Sequence, residues 1–448
     1  MSAEFFLMAP SVYTVFGFLF LGIACIVLLT ARLKLHPFFA LLIASMVVGL
    51  GVGFSMNEVL TLMKEGFGGI MRSLALIIVL GTALGILLER TGSTRVMAAF
   101  ILKKIGPKYP VMAMSITGFV VGMPLFCDSG FIVLSGLNSS IAKKTGTPVI
   151  IMAVAMATGL YAVHCLIPPH PGAAAAASTI GVDYGRLMLM GILTAIPAML
   201  IGNWYARVAG KKMADAETTE KETAVATEQE PAVLVAFLPV IVPVILIAAK
   251  SLLVSTGNLN PLLSILSIAG DPVIALSVGV LLALCAAYPW KDKAVNNWLQ
   301  EGAEKAGGIL VIIGAGGAFG AVLAATQIGK HFSEVLPLAG MGLLFPFLLS
   351  FVLKTAQGSS TVAIITAASI IQPLLPTLGF ITPDQKLLCV LSMGAGSMMI
   401  SHANDAYFWV IARFERIAMR PMLRVYTVST ILMGLTSLLM VYLLSLLL

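Results

Sequence analysis

The chain has 448 residues, of which 59% are hydrophobic and only 10% are charged, and its net charge is +7. An average soluble domain is about 25% charged, and a mean hydropathy of +1.02 is too high for a soluble enzyme. The composition excludes a disordered chain, a secreted disulfide scaffold and a nucleic-acid-binding protein, so the positive excess is better explained by orientation in a membrane.

The five cysteines indicate neither disulfides nor a metal site, because their number is odd and no CxxC pair occurs. At the N-terminus, Glu4 precedes the first apolar run, whereas Arg32 and Lys34 follow it. A signal peptide has the reverse charge order and a small-residue cleavage site. We therefore expect 12–30 to be a retained first membrane helix.

A membrane helix needs about 20 mostly apolar residues, and the sequence contains several such runs. Ordinary membrane helices are predicted over 12–30, 36–54, 73–89, 187–206, 232–254, 271–289, 307–326 and 422–447. Four shorter apolar runs cover 111–126, 129–142, 338–353 and 361–376. Two more runs, interrupted by polar or proline-rich stretches, cover 147–180 and 384–412. The predicted fold class is an all-α polytopic membrane protein.

The largest change in composition occurs over 210–231, a segment rich in acidic residues, threonine and alanine. Such a segment cannot form a core, so it indicates a solvated linker. It separates two predicted membrane domains, 1–209 and 232–448.

The two halves resemble each other in sequence. LALIIVLGTALGILLERT at 74–91 and ILVIIGAGGAFGAVLAAT at 309–326 share paired glycines four residues apart, and a Glu-Gly pair lies upstream of each. Small residues at this spacing also serve close helix packing in lipid. Together these matches predict an internal repeat of the kind that secondary transporters carry.

The distribution of lysine and arginine, which mark the cytoplasmic side, predicts the topology. Basic residues follow the first helix and flank the pair 111–126 and 129–142, whose arms are too short to cross. We expect a re-entrant hairpin there and a second one over 338–376. Five crossings in the first half would start the second half on the opposite side of the membrane, so the two repeats would be inverted. The whole chain would then have ten crossings and two hairpins. We expect it in the inner membrane of a bacterium, with both termini on the periplasmic side.

Four polar breaks interrupt the apolar runs. They are FCDSGF at 126–131, VHCLIPPHPG at 163–172, KTAQGSSTV at 354–362 and ISHANDAYFW at 400–409. Irregular backbone at membrane depth is tolerated only where it is buried in protein or lines a cavity. Inverted-repeat transporters place their substrates at such breaks, so we expect the four to form one binding site.

The first two breaks contain candidate residues for substrate and proton binding. Asp128, Ser129 and Gly130 form the predicted tip of the first hairpin, where a carboxylate costs about 2.5–3.5 kcal/mol unless it is paired or protonated. The structural alternative for Asp128 is a helix N-cap. His164 and His170 flank prolines that cannot continue a helix, and freed helix amides there could hold an anion. Their alternative is a proline-kinked helix with a satisfied histidine.

The tip of the second hairpin is predicted to bind substrate through backbone amides and hydroxyls. Its candidate residues are Gln357, Gly358, Ser359, Ser360 and Thr361. Lys354 lies one helical turn earlier. It either snorkels to an interface or points inward as the counter-charge of an anionic substrate.

The fourth break contains His402, Asn404 and Asp405. We predict substrate contacts for His402 and Asn404, and we take Asp128, Asp405, His164 and His402 as candidates for the coupled proton. The plain alternative is that Asp405 caps the last half-helix. A metal site is not expected, because a third ligand at a usual spacing is missing.

Other motifs are missing from the sequence. It has no GxxxxGK[ST] phosphate-binding loop and no nucleophile-elbow motif. Neither nucleotide-driven transport nor catalysis is therefore expected, and no cofactor is predicted.

At the four breaks the sequence resembles the gluconate permease family of proton symporters, which includes D-serine and fructuronate transporters. The resemblance covers essentially the whole chain, and its most specific motifs are HCLIPPHPG at 164–172, QGSSTVAIITA at 357–367 and SHANDAYFW at 401–409. It implies an inverted-repeat carrier of the ion-transporter group, with two re-entrant hairpins and two interrupted helices. The chain departs from many relatives at 128–130 and in the polyalanine run 173–177, both near the expected pocket.

The sequence therefore predicts a proton-coupled symporter, not an enzyme, that imports gluconate or a related sugar acid. D-serine or another small hydroxylated carboxylate, and sodium coupling, remain open alternatives; a passive channel and an intramembrane enzyme are less favoured. The expected partners are a small anionic or zwitterionic carboxylate, protons and membrane lipid, without nucleic acid. Homo-oligomerisation is left open.

Overall fold

A computed structural model describes residues 12–106, 108–212, 231–254, 266–286, 292–327, 338–403 and 405–448. All regular elements within these ranges are helices. Seven of the helices described there are long and apolar enough to cross a membrane, and five shorter apolar helices accompany them. The all-helical, multi-pass membrane fold is thus confirmed, whereas the ten crossings and their sidedness stay predictions.

The helices of the first half are α1 (Val12–Val27), α2 (Pro37–Val52), α3 (Met56–Arg90), α4 (Ser93–Ile105), α5 (Pro110–Gly122), α6 (Cys127–Thr145), α7 (Val149–Leu166), α8 (Pro171–Ile180) and α9 (Tyr184–Lys211). Those of the second half are α10 (Val233–Val254), α11 (Pro272–Ala286), α12 (Asp292–Ala325), α13 (Leu344–Gln357), α14 (Ser360–Ile371), α15 (Pro383–Ser397), α16 (Ala406–Phe414), α17 (Met419–Met422) and α18 (Val428–Ser445). Short π-helical segments cover Leu28–Arg32 and Leu423–Thr427, and short 3-10 segments cover Leu338–Met341 and Gln372–Leu374.

The described parts of the two halves share an order of elements. A long helix (α3 or α12) is followed by two short helices joined at a polar turn (α5 and α6, or α13 and α14). A helix in two pieces comes next (α7 and α8, or α15 and α16), and corresponding helices begin roughly 235 residues apart. An internal repeat would produce this order. The domain limits remain predictions, and 213–230 of the predicted linker lie outside the described residues.

The long helices α3 and α12 pack closely and run antiparallel. Gly66, early in α3, contacts Gly317, late in α12, whereas a Cβ on Gly302, early in α12, would come within 2.9 Å of the Ala83 Cα, late in α3. Small residues permit this approach of the two backbones. An antiparallel pair is what an inverted second half requires, and the inversion itself stays a prediction.

Helix α7 is the centre of the core. Every residue from Ile150 to Leu166 is buried, and the helix packs against α5, α6 and α9. A helix that is enclosed on all sides is apolar all round, which explains why this stretch lacks a polar face.

The second piece of each two-piece (broken) helix packs against the hairpin of the other half: α8 lies against α14, and α16 lies against α6. Asn138 Nδ2 and Ser139 Oγ on α6 donate to the two carboxylate oxygens of Glu415 at the end of α16, over 2.8 and 2.7 Å. These contacts between the two halves bring the polar breaks together.

The predicted apolar runs correspond to helices, but several helices are longer than predicted. The run 73–89 is only the last part of α3, whose polar first turn is fixed by a capping box between Ser55 and Glu58. Helix α4 is absent from the predicted elements, because it is short and ends with Lys103 and Lys104. It packs against α5 and α10.

Candidate functional site

The first hairpin turns at Phe126, and α6 begins at Cys127. Asp128 therefore lies in the first turn of α6 and is not its N-cap, since Phe126 occupies the cap position. A carboxylate at this position is favoured by the helix dipole. The Cys127 thiol donates to it over a long distance, with 4.0 Å between Sγ and Oδ1, and the Asp128 carboxylate has no stronger side-chain partner among the described residues.

The second hairpin turns at Gly358 and Ser359. Gly358 has a φ of +84°, a left-handed conformation that ends α13 and that favours glycine. Ser359 caps α14, because its hydroxyl accepts a hydrogen bond of 3.3 Å from the Val362 amide. The predicted tip is thus a tight turn between two helices.

Lys354 points inward and is completely buried. Its Nζ lies 2.8 Å from Asp405 Oδ2 and donates to the Gly358 carbonyl oxygen over 2.9 Å. Of the two readings of this lysine, the interfacial one is therefore wrong. Its counter-charge is the Asp405 carboxylate.

Asp405 is the N-cap of α16, as the plain alternative predicted. Its Oδ1 accepts from the Tyr407 amide over 3.0 Å, and its Oδ2 accepts from the Ser401 hydroxyl and from Lys354. Asp405 is buried, with 6% of the residue exposed. With an ion pair and two further donors, its negative charge is well compensated.

The two histidines of the second break lie side by side, with ring centroids 5.1 Å apart. His170 Nε2 is 2.7 Å from the Gly122 carbonyl oxygen, so this ring is satisfied within the core. His164 Nε2 is 3.3 Å from the Thr361 hydroxyl of the second hairpin. His164 Nδ1 is buried and has no partner in the described structure.

A cavity of about 520 Å³ joins the two hairpin tips and the two broken helices. It is lined by Phe126, Cys127, Asp128, Ser129, Tyr161, His164, Pro171, Lys305, Ile309, Ile312, Gln357, Gly358, Ser359, Ser360, Thr361, Val362, Asp405, Ala406 and Tyr407. The volume suits a small organic molecule. All four predicted breaks contribute to its walls.

The predicted site residues divide into two groups. Those that line the cavity are Asp128, Ser129, His164, Gln357, Gly358, Ser359, Ser360, Thr361 and Asp405. Gly130, His170, Lys354 and His402 do not line it: Lys354 lies behind Asp405, and His170 borders a separate small void. Asn404 lies outside the described residues.

Four of the described helices begin at the cavity wall. The first residues of α6, α8, α14 and α16 all line it. The first amides of a helix have no partner within the helix, and its N-terminus carries a partial positive charge. The cavity therefore offers an anion four helix N-termini, of which that of α16 is already capped by the Asp405 carboxylate.

Two lining side chains carry buried polar atoms without a partner in the described structure. They are His164, through Nδ1, and Gln357, through both Nε2 and Oε1. Buried polar atoms are nearly always hydrogen bonded in proteins. Both side chains line the cavity, so a rotation of each would bring these atoms to hydroxyl groups of a bound molecule.

Sequence reasoning missed Tyr161, Tyr407 and Lys305, which also line the cavity. The tyrosine rings stack on each other with centroids 5.7 Å apart. Tyr407 could have been found from its place two residues after Asp405, whereas nothing in the sequence distinguishes Lys305 from an interfacial lysine. In the part of the chain that the structure describes, no cluster of three His, Cys, Asp or Glu side chains is placed to hold a metal ion.

Comparison with known proteins adds to this geometry. A family model described as GntP family permease matches residues 14–447. The chain is 30% identical to the gluconate permease of Pseudomonas aeruginosa, over 100% of this chain and 99% of that protein. It is 29% identical to the D-serine transporter DsdX of Escherichia coli O6:H1, over 95% of this chain and 97% of that protein.

The fold is similar to that of a solved transporter. The crystal structure of YdaH from Alcanivorax borkumensis aligns with a TM-score of 0.66, covering 92% of this chain and 98% of that one. The two sequences are 16% identical, so the similarity concerns the fold alone.

Proposed function

We propose that this chain, which belongs to the GntP family of permeases, imports gluconate or a related sugar acid across a bacterial inner membrane together with protons. The family is one of transporters, and the fold is a multi-pass membrane fold. The substrate, the coupling ion and the direction of transport are the proposed parts.

The observation that carries the proposal is the lining of the central cavity. The helix N-termini there suit a carboxylate, and the unpartnered atoms of Gln357 and His164 suit hydroxyl groups. Ser360 and Thr361 add hydroxyls to the same wall. A sugar acid has one carboxylate and several hydroxyls, so it matches both kinds of group.

Among the four candidates for the coupled proton, Asp128 is the best placed. Asp405 already has Lys354 and two hydrogen-bond donors, and His402 does not line the cavity. Asp128 lines the cavity and, within the ranges that the structure describes, lacks a strong partner. A carboxylate at this depth is costly when charged and unpaired, so protonation of Asp128 would accompany loading of an anion.

Uptake of labelled gluconate into proteoliposomes tests the function. We expect uptake that follows an imposed pH gradient, and we expect Asp128→Asn to uncouple substrate movement from that gradient. Glu65→Gln, at an exposed position of α3 that does not line the cavity, is the carboxylate control. Uptake driven by a sodium gradient alone, or uptake indifferent to both gradients, would overturn proton coupling.

A zwitterionic substrate is the second candidate, because the Asp128 carboxylate could bind an ammonium group. The D-serine transporter DsdX is among the relatives, which gives this reading a specific basis. Competition of unlabelled gluconate, other aldonates, glycerate and D-serine against one labelled substrate decides between the classes. Displacement by D-serine but not by gluconate would replace the sugar-acid proposal.

A further inference from the structure

Lys305 is the only lysine or arginine that lines the cavity in the part of the chain that the structure describes. Lys354, the buried lysine, is held behind Asp405 and does not reach the cavity. The side chain of Lys305 is 39% exposed. The cavity therefore reaches the surface of the molecule beside this lysine.

The position of Lys305 along α12 shows that it stands at the mouth of the cavity. Ile309 and Ile312 line the same wall one and two turns further along the helix, toward the hairpin tips. On the other side, Glu301 pairs with Arg90, the last residue of α3, over 2.7 Å. Clusters of charged side chains at helix ends mark the boundary between membrane and water.

Glu301 holds the Lys305 ammonium in this structure. The distance from Lys305 Nζ to Glu301 Oε1 is 3.2 Å, and the other carboxylate oxygen of Glu301 accepts from Arg90. An exposed ion pair of this kind is weak, about 0–1 kcal/mol. The lysine can therefore exchange Glu301 for another carboxylate at little cost.

The base of this charge cluster is rigid. Gly302 lies against the backbone of Ala83, where a Cβ would come within 2.9 Å of the Ala83 Cα. Glu301 and Lys305 are thus fixed at their backbones by the contact between α3 and α12. Only the lysine side chain has to move to reach from Glu301 into the cavity.

We propose that Lys305 is a specificity-determining residue that binds the carboxylate of the substrate at the cavity mouth. Its ammonium leaves Glu301 and pairs with the substrate as the substrate passes between this mouth and the helix N-termini at the inner end. This role rests on the proposed function, because it requires an anionic or zwitterionic carboxylate as cargo. It explains how an anion enters a cavity that also contains the Asp128 carboxylate.

Four variants in the proteoliposome assay test this role. For the carboxylate that the wild-type chain carries, supplied on the side that the cavity mouth faces, Lys305→Gln should raise KM about fivefold, the change that corresponds to about 1 kcal/mol, with little change in maximal rate. Lys305→Arg should retain a KM near the wild-type value. Lys64→Gln, an exposed lysine on the first half of α3, is the matched control and should leave KM unchanged.

Glu301→Gln distinguishes binding of the substrate by Lys305 from a purely structural role of the Lys305–Glu301 ion pair. If Lys305 captures the substrate, the loss of its competitor leaves KM at or below the wild-type value. If the pair only braces α12, Glu301→Gln and Lys305→Gln should impair transport alike, which would overturn the proposal. Added salt should raise the wild-type KM more than that of Lys305→Gln, because ions screen exposed charges.

Transport of a carboxylate and its binding by Lys305 can be refuted separately. A wild-type chain that carries no carboxylate would overturn the proposed function and the role of Lys305 together. A wild-type chain that carries one, with the same KM in Lys305→Gln and no difference in salt dependence, would overturn the role of Lys305 alone.

Discussion

The buried pair between Lys354 and Asp405 offers the sharpest test of the site. The lysine is fully buried and the carboxylate nearly so, with 2.8 Å between Nζ and Oδ2. Removal of one partner leaves the other charge buried and uncompensated, which costs about 3–5 kcal/mol. We expect Lys354→Met and Asp405→Asn each to lower the free energy of unfolding by an amount in this range.

The double variant should be more stable than either single variant. Neither charge remains buried in it, and replacement of a whole buried pair by neutral groups is often close to neutral. Asn also retains most of the capping ability of Asp at the start of α16. Denaturant titration of the purified protein in detergent measures the three changes, with the exposed Lys64→Met as control, expected within about 0.5 kcal/mol of wild type. A double variant that loses the sum of the two single losses would refute the reasoning.

Two other substitutions test different features. Gln357→Leu should raise KM about twofold to tenfold, because a hydrogen bond to the substrate contributes about 0.5–1.5 kcal/mol. It should not lower the melting temperature, since the Gln357 side chain has no hydrogen-bond partner to lose among the described residues; a lower melting temperature with unchanged KM would contradict its role in binding. Gly66→Ala should destabilise the protein because a Cβ there meets the Gly317 carbonyl. Gly68→Ala, whose added Cβ meets no described atom within 4 Å, should instead stabilise α3 by up to about 1 kcal/mol. Equal effects of the two alanines on thermal unfolding would argue against close packing of α3 and α12.

The polar breaks could be found in the sequence because they interrupt long apolar runs, and irregular backbone is rare at membrane depth. Prolines at 168, 169 and 171 interrupt one apolar run, and the hydroxyl-rich turn at 357–361 interrupts another. Such breaks must be enclosed by protein, so their convergence could be predicted. Both tips line the same cavity in the structure.

The pairing of individual side chains could not be predicted in the same way. Lys354 and Asp405 are 51 residues apart, and their contact depends on how α13 lies against the start of α16. Lys305 was missed because an exposed lysine on a long helix has the same appearance in sequence whether it faces a headgroup or a cavity. Helix α4 was missed because hydropathy detects membrane spans and not short helices with basic ends.

The use of helix ends in the cavity wall has a consequence for regulation by acidity. Backbone amides at the starts of α6, α8, α14 and α16 keep their protons throughout the physiological range. Their attraction for an anionic cargo is therefore the same in acidic and alkaline surroundings. Sensitivity of transport to acidity must then come from side chains, and a single substitution could abolish it while leaving a protein that still recognises its cargo.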